Sequence, residues 1–166
     1  MSEAKKRASK PRSVLRSIAA AWLVAGTLDI LVAIVYYGVT VGVPATRILQ
    51  GIASGILGVR AFHEGPASAA LGLACHYTIA LLWTLFFFVV YPRIGRVTER
   101  KWATAVLYGI FVSLVMNLAV VPLSNVPSRP FSLSHLVVAT VILIFTIGLP
   151  LTIIVGRYYD GHLHAP

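Results

Sequence analysis

PATRILQGIASGILGVRAF, residues 44–62, is long and apolar enough to compete for a place among the membrane-spanning helices of this chain. Counted as a span, it gives five crossings and divides the basic residues eight against six. Arg93, Arg96, Arg100 and Lys101 then share a side with Arg47 and Arg157. Left outside the count, it gives four crossings. Lys5, Lys6, Arg7, Lys10, Arg12, Arg16, Arg93, Arg96, Arg100, Lys101 and Arg157 then fall on one side, against Arg47, Arg60 and Arg129 on the other. Eleven against three satisfies the positive-inside rule, which places the first tail, the second loop and the last tail in the cytoplasm. The stretch also divides by face, with Ile48, Ile52, Ile56 and Val59 on one side and Arg47, Gln50, Gly51, Ser54, Gly55 and Gly58 on the other. That pattern predicts a short amphipathic or re-entrant helix on the outer side. Pro44 starts it and Gly65-Pro66 stops it, with the glycine face and Arg47 and Gln50 turned toward the bundle.

Working outward, four runs each exceed the roughly 20 apolar residues needed to cross about 30 Å of hydrocarbon or come close to it: 17–38, 67–91, 102–121 and 133–155. The predicted fold is therefore all-α: a polytopic membrane protein with four transmembrane helices over 17–156, a basic cytoplasmic tail at 1–16 and a second tail at 157–166. The spans at 67–91 and 102–121 are joined by about ten residues and are expected to pack as an antiparallel hairpin. The loop at 122–130 holds three prolines that stiffen it, and Ser132 or Ser134 can cap the fourth helix.

Composition agrees. Of 166 residues, 58% are hydrophobic and 11% charged, outside the range of soluble domains. The net charge of +9 would suggest a nucleic-acid partner in a soluble chain, but the charges lie at the ends of apolar runs. Lys5, Lys6, Arg7, Arg93, Arg96, Arg100 and Lys101 thus read as anchors to anionic lipid headgroups, and nucleic acid is not an expected partner. A single cysteine, Cys75, excludes an intramolecular disulfide and a cysteine metal cluster. The charged start followed by an apolar run has the layout of a secretory signal, but the run is too long for one and contains Asp29, so it reads as a retained first span.

Polar groups inside the spans are the candidate site. Asp29 sits near the middle of the first, where an ionised carboxylate costs roughly 2.5–3.5 kcal/mol, so it requires a partner or a proton. Trp22, Ala25, Gly26, Ala33 and Tyr36 share its helical face, which is therefore expected to point inward. His76 lies on a face with Ala69, Gly72, Ala80 and Trp83. Ser113 and Asn117 share one with Gly109, and His135 and Thr146 share one with Ala139 and Ile142. His76, Asn117, His135 and Gln50 fall toward the outer side, whereas the inner half looks almost wholly apolar, with Phe86-Phe87-Phe88 in one block. The expectation is an outward-facing polar pocket above an apolar plug, holding Asp29, His76, Asn117, Gln50, His135 and Ser113 as proton or ligand groups. The competing reading is that these groups only bond helices together, with Asp29 paired to His76 or Asn117.

These features support a small homo-oligomeric channel or transporter for a proton or small solute, since four short helices enclose little volume. A non-catalytic stress or assembly factor is the alternative. A haem held by His76 and His135 is a weaker option because their depths differ. No nucleophile elbow, phosphate loop, metal-ligand spacing or paired carboxylates occur, so neither an enzyme, a metal site nor a cofactor is expected.

Ala25-Gly26-Thr27-Leu28-Asp29 in the first span and Met116-Asn117-Leu118-Ala119-Val120-Val121-Pro122-Leu123-Ser124 closing the third resemble stretches of the YagU-like bacterial inner-membrane proteins. The resemblance extends to the order of the four spans and the Pro-Leu turn. It implies a bacterial inner-membrane location and a link to acid tolerance, and it supplies no catalytic residues.

Overall fold

The computed structural model describes residues 13–97, 100–127 and 132–163. Its helices are α1 (Val14–Val41), α2 (Ala45–Leu57, followed by a 3-10 turn at Gly58–Phe62), α3 (Gly65–Val97), α4 (Lys101–Leu123) and α5 (residues 133–163). No strand occurs among the described residues. Helices α1, α3, α4 and α5 are each long and apolar enough to cross a membrane, so the chain is an all-α integral membrane protein with four candidate spans. The helix α2 is not one of them.

The helix boundaries have local causes. The Ser13 hydroxyl accepts from the Arg16 amide at 3.4 Å to open α1, and the Ser132 hydroxyl accepts from the His135 amide at 3.4 Å to open α5. The helix α1 ends at Gly42 in the left-handed region, φ 70°, with its N–H donated to the Tyr37 carbonyl. Helix α5 continues to Leu163 rather than becoming a tail after 155. Lys101 bonds Asp160 at 2.8 Å and the Tyr159 hydroxyl bonds the Phe88 carbonyl at 2.9 Å, which ties down its last turns. Lys5, Lys6 and Arg7 lie outside the described residues. Arg93, Arg100 and Lys101 are exposed at the end of the bundle that carries both termini. Arg96 lies in the last turn of α3.

Prolines shape two of the spans. Met116–Val120 in α4 and Ile144–Gly148 in α5 are π-helical, and Pro122 and Pro150 each follow two residues later. A proline lacks the amide that would bond the carbonyl four residues back, and its ring crowds that carbonyl. Widening the preceding turn by one residue relieves both, so the Val121 amide reaches Met116 and the Leu149 amide reaches Ile144.

Packing follows the small residues. In α4 and α5 the backbones touch: a Cβ on Gly109 would stand 2.6 Å from Ile144 Cα, and one on Gly148 would strike the Ala105 carbonyl. Helices α3 and α4, consecutive in sequence, meet instead through rings. Phe87 and Tyr108 lie 4.4 Å apart between centroids, Phe86 stacks on Phe111, and the Tyr108 hydroxyl donates to the Trp83 carbonyl at 2.6 Å. The expected hairpin is thus held at ring width rather than in backbone contact. Between these helices an apolar groove of about 420 Å³ is lined by residues that include Leu82, Phe86, Phe111 and Met116.

Helix α1 packs on α3 and α5. In the half near the termini its Ala21 and Ala25 join Phe87, Phe88, Tyr91, Tyr108, Val112, Ile147, Leu151 and Val155 in the main apolar core. That half is not purely apolar, because Ser17, Thr84, Thr104 and Thr152 are buried in it. Thr84 shows how a hydroxyl is accommodated there: it returns to the Ala80 carbonyl of its own helix at 2.8 Å.

At the distal end, opposite the termini, α2 lies against the first turns of α3. Gln50, Ala53 and Ser54 are buried, while Ile56 and Val59 are exposed. The glycine that allows this contact is Gly72 of α3, where a Cβ would collide with the Leu49 carbonyl. The glycines on α2 itself leave more room, and nothing lies within 4 Å of a Cβ on Gly51. Gln50 turns inward and donates to the Gly65 carbonyl at 3.0 Å. Arg47 does not turn inward. Its guanidinium sits 4.7 Å over the Phe62 ring and donates to the Phe62 carbonyl at 3.0 Å, which keeps its charge at the surface.

Candidate functional site

Asp29 lies midway along α1, one helical turn past Gly26. Its Oδ1 accepts a hydrogen bond from the Thr146 hydroxyl at 2.8 Å, and Oδ2 has no hydrogen-bond partner among the described residues. Thr146 reaches Asp29 from the π-helical turn of α5, the segment whose geometry Pro150 sets. The same hydroxyl lies 2.9 Å from the Ile142 carbonyl. Having one hydrogen and two acceptors, Thr146 satisfies both only if the carboxyl brings a hydrogen of its own.

Magnitudes sharpen the point. An interhelical hydrogen bond within a membrane averages about 0.6 kcal/mol, whereas an ionised carboxylate at mid-span costs roughly 2.5–3.5 kcal/mol. One bond to Thr146 leaves about 2–3 kcal/mol of the charge uncompensated. A proton on Asp29 or a positive charge beside it has to make up the difference.

His76 on α3 lies within electrostatic reach of Asp29. Its Nε2 is 2.8 Å from the Gly26 carbonyl, and because a carbonyl can only accept, Nε2 carries a hydrogen. Nδ1 has no hydrogen-bond partner among the described residues. The neighbouring Tyr77 fills the space over Gly26, its ring 3.2 Å from where a Cβ would stand. Its hydroxyl pairs with Thr27 at 2.8 Å, and its carbonyl accepts from the Trp22 indole at 2.7 Å. Trp22 and His76 both meet the Tyr77 ring edge to face, at 6.0 and 5.5 Å. Asp29, His76, Trp22 and Tyr77 are all half-buried, so the cluster is reachable from the flank of a single chain.

Of the residues expected to share one pocket with Asp29, the structure places His76 within its electrostatic reach and engages the others elsewhere. Ser113 bonds Thr140 of α5 at 2.7 Å, and Asn117 donates back to the Ser113 carbonyl of its own helix at 2.9 Å. Gln50 is engaged under α2, and His135 pairs with the Tyr37 hydroxyl at the distal end at 2.9 Å. The partner expected for Asp29, His76 or Asn117, is instead Thr146. Thr146 was legible as a polar group on the fourth span, and Pro150, four residues on, is the signal that could have marked its turn as irregular. His76 and His135 contact α1 at Gly26 and Tyr37, eleven residues and therefore roughly 16 Å apart along the helix. Two axial ligands of one haem must flank a single iron, and this pair does not.

No protein family, curated protein or solved structure matches this chain.

Proposed function

We propose that the protein is a small transporter or channel, acting as a homo-oligomer, in which Asp29 takes up and releases a proton and His76 assists it. One observation carries the reading: a carboxyl at mid-span with one oxygen on Thr146, the other unpartnered, and a histidine within electrostatic reach. By contrast, the Ser113 and Tyr77 hydroxyls are each paired with a hydroxyl of a neighbouring helix. Intramembrane carboxyls placed in this way mark proton and ion pathways. The reading carries with it the YagU-like resemblance, a bacterial inner-membrane location and cytoplasmic termini, the orientation favoured by the basic residues.

Proton uptake into liposomes holding the purified protein, followed with an entrapped pH dye under an imposed potential, tests it. Asp29→Asn is expected to abolish protein-dependent flux and Thr146→Val to alter it. Flux equal to the parent in Asp29→Asn, with the variant folded, refutes the reading.

A non-catalytic assembly or stress factor has one observation in its favour. Trp22, Tyr108 and Tyr159 each donate to a carbonyl of a neighbouring span, a fastening role with no chemistry. That alternative predicts that Asp29→Asn changes the melting temperature and no flux.

A further inference from the structure

We propose that the ligand of the Asp29 cluster is a lipophilic organic monocation, bound in exchange for the proton on Asp29; this rests on the proton-handling reading and names its substrate class. Three features select that chemistry. First, the unpartnered Oδ2 supplies a single negative charge, and among the described residues Asp29 is the one acidic side chain deep within a span, since Asp160 lies near the end of α5 and is paired with Lys101. One charge in a low-dielectric setting is matched by one positive charge, and a divalent ion would leave an excess.

Second, rings stand one turn from the carboxyl. Tyr77 packs on Gly26 and His76 bonds its carbonyl, roughly 4.5 Å along the axis from Asp29, and Trp22 meets the Tyr77 ring. Aromatic faces attract weakly hydrated cations, with quaternary ammonium as the established example. A hard inorganic cation needs a shell of several oxygens. The site offers one carboxylate and the Thr146 hydroxyl, since the nearby Gly26 carbonyl is taken by His76 and the Tyr77 hydroxyl by Thr27.

Third, the surroundings are apolar. Leu28 and Leu31, close to Asp29 in sequence, are 41% and 52% exposed on the lipid-facing side of α1. A ligand reaching the half-buried cluster past them must itself be soluble in hydrocarbon.

The exchange balances in charge and atoms. The neutral Asp29 carboxyl releases its hydrogen to water as the cation arrives, the carboxylate and cation form a neutral pair, and departure of the cation returns the proton. The titratable groups facing Asp29 are few. From α3 come His76 and Tyr77, α5 contributes the uncharged Thr146, and the Arg47 charge of α2 is held away on Phe62. Binding is therefore expected to tighten as pH rises, because the cation and a proton compete for the one Asp29 carboxylate.

Titration calorimetry of the full-length protein in detergent with tetraphenylphosphonium tests this. Expected are saturable binding at least tenfold tighter at pH 8 than at pH 6, release of protons into weakly buffered solution, and no competition from the neutral triphenylphosphine oxide. Asp29→Asn is expected to lose binding by at least tenfold while Asp29→Glu keeps it, so a folding defect at this position is told apart from loss of the carboxyl. Trp22→Leu is expected to weaken binding with proton release intact. Absence of binding, or binding unchanged in a folded Asp29→Asn, or competition by the neutral analogue, overturns the proposal. If proton flux still depends on Asp29 in that case, the proton-handling reading stands and only the substrate class falls.

Discussion

Replacing Gly109 by alanine puts a Cβ 2.6 Å from both Ile144 Cα and Ile144 Cγ1 and 2.8 Å from the Ile144 amide nitrogen. Two of these three atoms are backbone, so no rotamer change removes the clash. Ordinary contact begins near 3.4 Å, and moving from 2.6 to 3.4 Å requires α4 and α5 to part by about 0.8 Å. Overpacking of this kind costs roughly 1–3 kcal/mol. At this chain length each kcal/mol is worth roughly 2–4 °C, so the melting temperature in detergent should fall by about 2–12 °C. Ile144 opens the π-helical turn that presents Thr146, so the same displacement should also strain the 2.8 Å bond to Asp29. Gly51→Ala is the matched control, because nothing stands within 4 Å of its Cβ and alanine is the better helix former by about 0.8–1 kcal/mol. If Gly109→Ala melts cooperatively at the parent temperature, the close approach of α4 and α5 is not what fixes their packing, and the reasoning fails.

Two further outcomes are expected. Asn125→Ala removes the 3.0 Å bond from Nδ2 to the Ile56 carbonyl but keeps the backbone bond to Gly55, so it should cost about 0.5–1.5 kcal/mol and raise hydrogen exchange in α2 more than in α3. Lys101→Met removes an ion pair whose partners are 58% and 52% exposed, so the melting temperature should stay within about 2 °C; a larger drop would show that this pair matters to the bundle.

The four spans were legible because length and apolarity alone decide what crosses a bilayer. The status of residues 44–62 was legible too, from charge balance and from the isoleucine face opposite Gln50. Which helices touch was not. A helix in lipid is apolar on buried and exposed faces alike, so Leu23, Leu31 and Val35 on the lipid side of α1 look no different from core residues. Small residues carry the information instead, and only some of them. Gly72, Gly109 and Gly148 meet backbone while Gly51 meets nothing, a difference set by the partner helix rather than by the glycine. Asp29 announced itself as costly, and His76 was one of two partners its placement suggested. The bond from Thr146 to Asp29 did not announce itself, because that depends on a turn widened by Pro150 on a helix more than a hundred residues away. Arg47 was misplaced because face patterning ignores the length of a side chain that can swing back to Phe62.

Helix α2 is held by residues synthesised at very different times. Leu49 rests on Gly72, available soon after it, but the carbonyls of Gly55 and Ile56 are bonded by Asn125, 69 residues beyond Ile56. A nascent chain that has emerged only as far as α3 thus has α2 docked on one side and open on the other. Its final seating waits for α4 to insert and bring Asn125 across the distal end. The short helix serves in this way as a checkpoint of biogenesis: it is fully fastened only once three of the four spans are in the membrane.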